Sequence, residues 1–113
     1  MEKYSLETQK IISNCEGLAF LFGHSLVGSE HLLLALLKDN NLLSKELKAY
    51  KINYDNLYKK VKNMYPSHND EPLYMEYTLE LKNVIENALV VSRQYREENI
   101  SLNSLCIALT LYE

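Results

Sequence analysis

The chain has 113 residues, of which 47% are hydrophobic and 24% are charged, and its net charge is −3. This length suits one domain with a single core. The mild acidic balance disfavours a nucleic-acid-binding protein, which would show a basic excess. Two cysteines, Cys15 and Cys106, lie in apolar stretches. They indicate buried thiols in a reducing compartment, not a disulfide framework.

The longest apolar run, Leu32 to Leu37, is far shorter than the roughly 20 residues that span a bilayer. The opening residues also lack the cationic start and apolar run of a signal peptide. We therefore expect a cytoplasmic protein, or one in an organelle lumen of equivalent redox state.

The first predicted helix begins after Ser5, whose hydroxyl caps free backbone N–H groups, and continues to Phe22. Gly23 follows and suits the left-handed turn that ends a helix. The spacing places four apolar residues on one face of this helix: Ile12, Cys15, Ala19 and Phe22.

The second predicted helix has Ser29 as its cap and Glu30 near its positive end, and its apolar residues 32–37 predict a buried, central position. A third, shorter helix is predicted over residues 42–50. A fourth begins at an Asn53 cap, and its helical face carries Tyr54, Leu57, Tyr58, Val61 and Met64.

Residues 66–73 form a predicted linker, because they lack an apolar period and contain two prolines. A long helix then runs from a Thr78 cap to about Arg96, and a partner helix covers roughly residues 102–112. One side of the long helix is lined by Leu81, Val84, Ile85, Ala88, Val91, Ser92 and Tyr95. No segment alternates with period two, so we expect an all-helical fold without strands.

Residues 4–37 and 77–110 repeat the same apolar pattern at a constant offset of 73 residues. This duplication predicts a tandem pseudo-twofold repeat of small helical bundles. Copy one spans residues 4–65, and copy two spans residues 77–113 and is incomplete. Because a repeat does not bury its apolar face alone, we expect part of the face formed by Val84, Ala88 and Val91 to lie open or to pair with another chain.

Three segments, Tyr4 to Glu7, Gly23 to Ser25 and Val27 to Leu36, resemble the amino-terminal repeat domain of the Clp family of AAA+ protein unfoldases. The likeness is greatest to the ClpC and ClpA type. Copy two departs from the family pattern, with Arg96-Glu97 in place of Gly-His and residues 101–104 in place of Gly-Thr-Glu-His.

The resemblance implies a non-enzymatic receptor that recruits adaptor proteins and protein substrates to a hexameric unfoldase and its partner peptidase for regulated proteolysis. The acidic balance and the short apolar runs predict no nucleic-acid or membrane partner. The glycines, at positions 17, 23 and 28, cannot form a phosphate-binding loop of the Walker type. We therefore expect no cofactor in this domain and ATP only in modules outside this chain.

In ClpC relatives the domain resembles a reader of phosphorylated arginine, and carrying the motif over residue by residue assigns Ser5 and Glu30 to copy one. Copy two offers Thr78 and Asn103. A glutamate holds a guanidinium through charge-assisted hydrogen bonds, whereas asparagine lacks the charge. We expect one competent pocket or none.

Other residues favour structural over functional interpretations. His24 and His31 lie seven residues apart, but a metal site needs at least three ligands, so core or helix-end histidines with satisfied hydrogen bonds are preferred. The tyrosines and lysines of residues 54–65 suggest a nucleic-acid surface, yet amphipathic packing of the tyrosines is favoured. Neither cysteine is expected to act as a nucleophile.

Two alternatives to the Clp-type receptor stay open at this point. The first is a free-standing helical-repeat adaptor without an ATPase, and the second is a small metal-dependent or thiol enzyme.

Overall fold

A computed structural model describes residues 4–38, 44–45, 54–65 and 76–112 of the chain. Within these ranges the elements are α1 (Leu6–Leu21), β1 (Leu26–Val27), α2 (Ser29–Lys38), α3 (Tyr54–Lys62), β2 (Glu76–Tyr77), α4 (Leu79–Gln94) and α5 (Leu102–Tyr112). The predicted all-helical class is confirmed.

The two copies have matching helix boundaries at the predicted offset. Helix α4 begins and ends 73 residues after α1, and α5 begins 73 residues after α2. The matching extends to single hydrogen bonds. After α1 the His24 N–H donates to the Ala19 carbonyl oxygen at 3.0 Å, and after α4 the Glu97 N–H donates to the Ser92 carbonyl oxygen at 2.8 Å.

The turn that ends each long helix needs one residue with a positive φ angle. Gly23 has φ 69° after α1, as predicted from the sequence, and Arg96 has φ 57° at the equivalent position after α4. Both belong to a Schellman motif that satisfies the last carbonyl groups of the helix. Because Arg96 adopts the left-handed conformation, α4 ends at Gln94 and not at the predicted Arg96.

Two very short strands correct the expectation that no strand occurs. Strands β1 and β2 pair in parallel, with Leu26 opposite Glu76 and Val27 opposite Tyr77. A parallel bridge also joins Tyr4 to Ile100. These contacts join the two copies, because the loop after α1 pairs with the start of copy two and the loop after α4 pairs with the start of copy one. The two strands could not be predicted from an alternating apolar pattern, because each spans only two residues.

Both copies contribute to one shared core. It contains residues of α1, α2, α4 and α5, together with Val27 of β1 and Ile100 of the loop before α5. The helical members are Ile11, Ile12, Cys15, Ala19, Leu32, Ala35, Leu36, Leu81, Val84, Ala88, Leu105, Cys106, Ala108 and Leu109. The predicted opening of Val84, Ala88 and Val91 is wrong, because these side chains are at most 6% exposed. Copy one, together with α5, covers the face that copy two cannot bury alone.

A second, smaller core cluster lies where α3 covers copy one. Phe22, Leu34 and Val61 are buried there, and Leu57 and Tyr58 pack against them. The Tyr58 ring meets the Phe22 ring edge-on, with centroids 4.9 Å apart. At the position equivalent to Phe22, Tyr95 is 66% exposed. The predicted inward orientation of Tyr95 is therefore wrong.

Some predicted features fall elsewhere than expected, or outside the described residues. The third helix over residues 42–50 is described only at residues 44–45, and the Asn53 cap and the linker 66–73 lie outside the described ranges. Met64 follows the end of α3 and is 51% exposed, so it does not belong to the buried helical face. Among the described helices, none is both long and apolar enough to cross a membrane.

Exchanging the residues at the two left-handed positions tests the turn geometry. We expect Gly23→Ala to lower the free energy of unfolding by about 1 kcal/mol, because a Cβ is strained at positive φ. We expect Arg96→Gly to raise it by up to about 1 kcal/mol, because the strain of Arg96 is removed. Urea denaturation measures both, and a loss of stability in Arg96→Gly would contradict the assignment.

A second matched pair tests the unequal burial of equivalent aromatic residues. We expect Phe22→Ala to lower the free energy of unfolding by about 3–5 kcal/mol, as for other buried aromatic residues. Tyr95→Ala should change it by no more than about 0.5 kcal/mol, because the ring is solvent-exposed. Equal losses in the two variants, measured by thermal and urea denaturation, would show that Tyr95 is covered in solution.

Candidate functional site

The four predicted ligand-binding residues lie in two groups that each combine both copies. The Ser5 N–H donates to the carbonyl oxygen of Ile100 at 3.0 Å, which ties Ser5 to the loop before Asn103. In the same way, the Thr78 N–H donates to the carbonyl oxygen of Val27 at 2.9 Å, just before Glu30. Motif order paired Ser5 with Glu30, whereas the backbone contacts place Thr78 beside the Glu30 loop.

Ser5 and Thr78 cap their helices as predicted. The Ser5 hydroxyl oxygen accepts from the Thr8 N–H at 3.2 Å, and the Thr78 hydroxyl oxygen accepts from the Leu81 N–H at 3.2 Å. The Ser5 hydroxyl also forms a 2.8 Å hydrogen bond with the hydroxyl of Thr8, which is fully buried. Each cap therefore presents a helix N-terminus, with its partly positive N–H groups, to the loop of the other copy.

An exposed leucine follows each cap. Leu6 is 83% exposed and Leu79, its equivalent, is 70% exposed. Leu26 of β1, which pairs with Glu76 beside the Thr78 cap, is also partly open at 44%. The two helix N-termini therefore combine polar backbone groups with apolar side chains, a mixture that suits contact with a polypeptide.

The Glu30 carboxylate lies at the start of α2 and folds back over Gly28, where an added methyl group would overlap it. The Tyr65 hydroxyl donates a hydrogen bond to Glu30. The negative charge of Glu30 raises the pKa of Tyr65, with further contributions from burial, from this hydrogen bond and from the charge of Glu80. Glu30, Tyr65 and Glu80 thus share one electrostatic environment near the N-terminus of α4.

Copy two has no carboxylate at the position of Glu30. Asn103 occupies it and is exposed. Glu97, in the turn after α4, carries a carboxylate that accepts hydrogen bonds from the Ser101 hydroxyl at 3.1 Å and the Ser104 hydroxyl at 2.5 Å. The Glu97 carboxylate therefore supports the turn.

Two histidines occupy the corresponding positions in copy one. His24 Nδ1 lies 2.8 Å from His31 Nε2, and both side chains are at most 4% exposed. The Gly28 N–H donates to His31 Nδ1 at 2.9 Å, and His24 Nε2 lies 3.2 Å from the carbonyl oxygen of Lys62. The preferred interpretation of the histidines as buried, hydrogen-bonded core residues is confirmed.

The direction of each hydrogen bond in this series follows from the groups at its two ends, the Gly28 N–H and the Lys62 carbonyl oxygen. A backbone N–H only donates and a carbonyl oxygen only accepts. His31 Nδ1 therefore carries no proton, His31 Nε2–H donates to His24 Nδ1, and His24 Nε2–H donates to Lys62. Burial lowers the pKa of His31, the nearby His24 lowers it further, and the Glu30 charge partly opposes them. Both rings are neutral in this arrangement.

The sequence did not reveal a polar cluster where the two copies meet. The Tyr77 hydroxyl is hydrogen-bonded to Glu16, and burial, together with the charge of Glu16, raises the pKa of Tyr77. Burial and the same charge raise the pKa of Tyr4, the residue equivalent to Tyr77. The identical placement of Tyr4 and Tyr77 in the repeat was the available signal for this cluster.

The remaining candidate chemistries find little support in the described part of the chain. Cys15 and Cys106 are buried, and burial raises the pKa of the Cys15 thiol, which suppresses the thiolate needed for nucleophilic attack. Among the described residues, no group of three or more His, Cys, Asp or Glu side chains is arranged to hold a metal ion.

The two caps provide a matched stability test. We expect Thr78→Ala to lower the free energy of unfolding by about 1 kcal/mol, which is typical for loss of a capping hydroxyl. Ser5→Ala should lower it by about 2 kcal/mol, because the buried Thr8 hydroxyl also loses its partner. Urea denaturation measures the difference, and a larger loss for Thr78→Ala would contradict the role of Thr8.

Comparison with known proteins gives consistent results at the levels of sequence and fold. The chain is 26% identical over 102 residues to the ATP-dependent Clp protease ATP-binding subunit ClpC of Staphylococcus aureus (strain USA300), and 24% identical over 102 residues to that of Staphylococcus epidermidis (strain ATCC 12228 / FDA PCI 1200). Each match covers 89% of this chain but 12% of the relative. The chain thus spans about an eighth of the length of these relatives.

Two solved structures share the fold. The N-terminal domain of the chaperone ClpD from Arabidopsis thaliana has a TM-score of 0.75 at 22% identity, covering 99% of this chain and 78% of that chain. The Hsp104 N-terminal domain from Candida albicans has a TM-score of 0.79 at 20% identity, covering 96% of this chain and 73% of that chain. The model of the Clp repeat (R) N-terminal domain matches residues 3–112. The chain therefore belongs to the Clp repeat (R) N-terminal domain family.

Proposed function

We propose that this domain is a non-catalytic receptor that binds protein substrates and adaptors for a Clp-type ATP-dependent unfoldase. The observation that carries the proposal is the reciprocal placement of two helix N-termini, at Ser5 and Thr78, against the loops of the opposite copy. This arrangement offers two related surfaces for recognition, one at each helix N-terminus.

The whole-protein setting is part of the same proposal. The ClpC relatives are named as ATP-binding subunits of an ATP-dependent protease, and this chain spans 12% of their length. We propose that ATP binding, hexamer formation and contact with the peptidase belong to segments outside these 113 residues. The receptor would act in the cytoplasm or in a comparable reducing compartment.

For the ligand, we propose an arginine side chain, phosphorylated or unmodified, bound between Glu30 and the N-terminus of α4. Glu30 supplies a carboxylate for the guanidinium group, and the helix N-terminus at Thr78 offers N–H groups to a phosphoryl group. Glu80 lies in the first turn of α4, and its charge opposes a phosphoryl group. Phosphoarginine binding should therefore be weak.

The second surface differs in charge, and this predicts one binding site instead of two. Ser5 caps α1 beside the copy-two loop, but Asn103 replaces the carboxylate there. Asparagine accepts a hydrogen bond without neutralising a guanidinium. Binding at this surface should be much weaker than at the surface formed by Glu30 and Thr78.

Calorimetric titration with a phosphoarginine peptide and its unmodified arginine counterpart tests the ligand proposal. Glu30→Gln should weaken binding about 10- to 100-fold, because a charge-assisted hydrogen bond contributes about 1.5–3 kcal/mol. Asn103→Ala is the matched control and should leave the affinity unchanged. Asn103→Glu should raise the stoichiometry from one site toward two.

Two results would contradict the ligand proposal. Unchanged affinity in Glu30→Gln would remove Glu30 from the site. Equal losses in Glu30→Gln and Asn103→Ala would show that the two surfaces bind alike, against the predicted asymmetry.

A further inference from the structure

We propose that the His24–His31 pair is a proton-sensitive latch, which holds the Glu30 end of α2 against the end of α3 at neutral pH and releases it on protonation. This inference concerns the regulation of the ligand site and rests in that respect on the proposed function. The latch itself is a property of the fold and is testable without a ligand.

The latch connects three separate segments of copy one through buried side chains. Gly28 belongs to the turn that begins α2, His24 follows α1, and Lys62 is the last residue of α3. The hydrogen bonds run from the Gly28 N–H through His31 and His24 to the Lys62 carbonyl oxygen, at 2.9, 2.8 and 3.2 Å. Glu30 lies between Gly28 and His31, so its position depends on this chain of bonds.

Adding a proton to either histidine ring breaks one of these hydrogen bonds. A proton on His31 Nδ1 faces the Gly28 N–H, which also donates. A proton on His24 Nδ1 faces His31 Nε2–H, and relieving that conflict moves the His31 proton to Nδ1. Each arrangement leaves two donors opposed in a buried place, where an unmatched polar group is costly.

The groups around the pair act in opposite directions. Glu30 of α2 lies 3.7 Å from His31 Nδ1 through its Oε1 atom and favours a charged ring. Tyr65, after α3, packs its ring 5.3 Å from His24 and is hydrogen-bonded to Glu30, and Glu80 of α4 acts on Tyr65. Lys62 contributes its carbonyl oxygen, and its side chain is exposed. Burial outweighs the Glu30 charge, so the pKa of His31 is lowered.

Copy two shows how the same turn is built without histidine. Its residues at the three positions of His24, Gly28 and His31 are Glu97, Ser101 and Ser104, joined by hydroxyl-to-carboxylate hydrogen bonds. Histidine is the side chain whose ordinary ionisation falls between pH 5 and 8. The protein therefore contains one histidine-based turn and one histidine-free turn on nearly the same backbone.

The direction of the pH effect follows from linkage. A histidine held neutral in the folded state but ionising near pH 6.5 when unfolded makes the unfolded chain bind more protons as the pH falls. The free energy of unfolding is then highest above about pH 7.5 and decreases progressively as the pH falls below about 6.5. For one such residue, the unfolding equilibrium constant rises about tenfold at pH 5.5.

Grafting the copy-two turn into copy one is the decisive experiment. The triple variant is His24→Glu, Gly28→Ser, His31→Ser. Between pH 7.5 and 5.5, the unfolding equilibrium constant of the wild type should rise by a factor at least about ten times larger than that of the variant. His68 is present in both proteins and cancels in the comparison. Identical pH profiles for the two proteins would overturn the latch.

Nitrogen-15 NMR of the wild-type histidine rings tests the latch without any variant. We expect both rings to be neutral at pH 7.5, with the proton on Nε2, and a proton on either Nδ1 would overturn the proposal. Peptide titration across the same pH range then separates the two claims. If the latch responds and neither peptide binds at any pH, the proposed ligand site fails while the latch stands.

Discussion

Two reciprocal backbone hydrogen bonds, from Ser5 to Ile100 and from Thr78 to Val27, set how the copies fit together. Each contributes only about 1 kcal/mol net. The burial of sixteen side chains in the shared core supplies the larger driving force. The hydrogen bonds instead determine the register, because they align each helix start with one residue of the opposite loop. The Glu30 side chain is brought near α4 by this register.

The two copies have the same backbone turns but different side chains at equivalent positions. The turns after α1 and α4 share their hydrogen bonds and a positive-φ residue, yet one is supported by two neutral histidines and the other by a carboxylate and two serines. Helix α3 buries Phe22, while the equivalent Tyr95 is exposed. Duplication thus preserved the positions that form the common core and allowed the peripheral positions to differ.

Local sequence signals predicted the helices well where the physical cause was local. Capping by Ser5 and Thr78 and the left-handed turn at Gly23 depend on neighbouring residues, and the structure confirms all three. The predicted Ser29 cap was one residue late, since Ser29 begins the helix and the Gly28 carbonyl oxygen accepts the first hydrogen bonds. There the His31 side chain, not a serine hydroxyl, satisfies the Gly28 N–H.

The amino-acid sequence alone determined the helical class and the duplication, because both are read from the spacing of apolar residues along the chain. Only the tertiary structure decided which of the candidate ligand-binding residues lie near one another. Ser5 and Glu30 belong to one copy, but the exchange of backbone contacts associates Glu30 with Thr78. The burial of Val84 and Ala88 was decided in the same way, because the surface that covers them comes from residues far away in the chain.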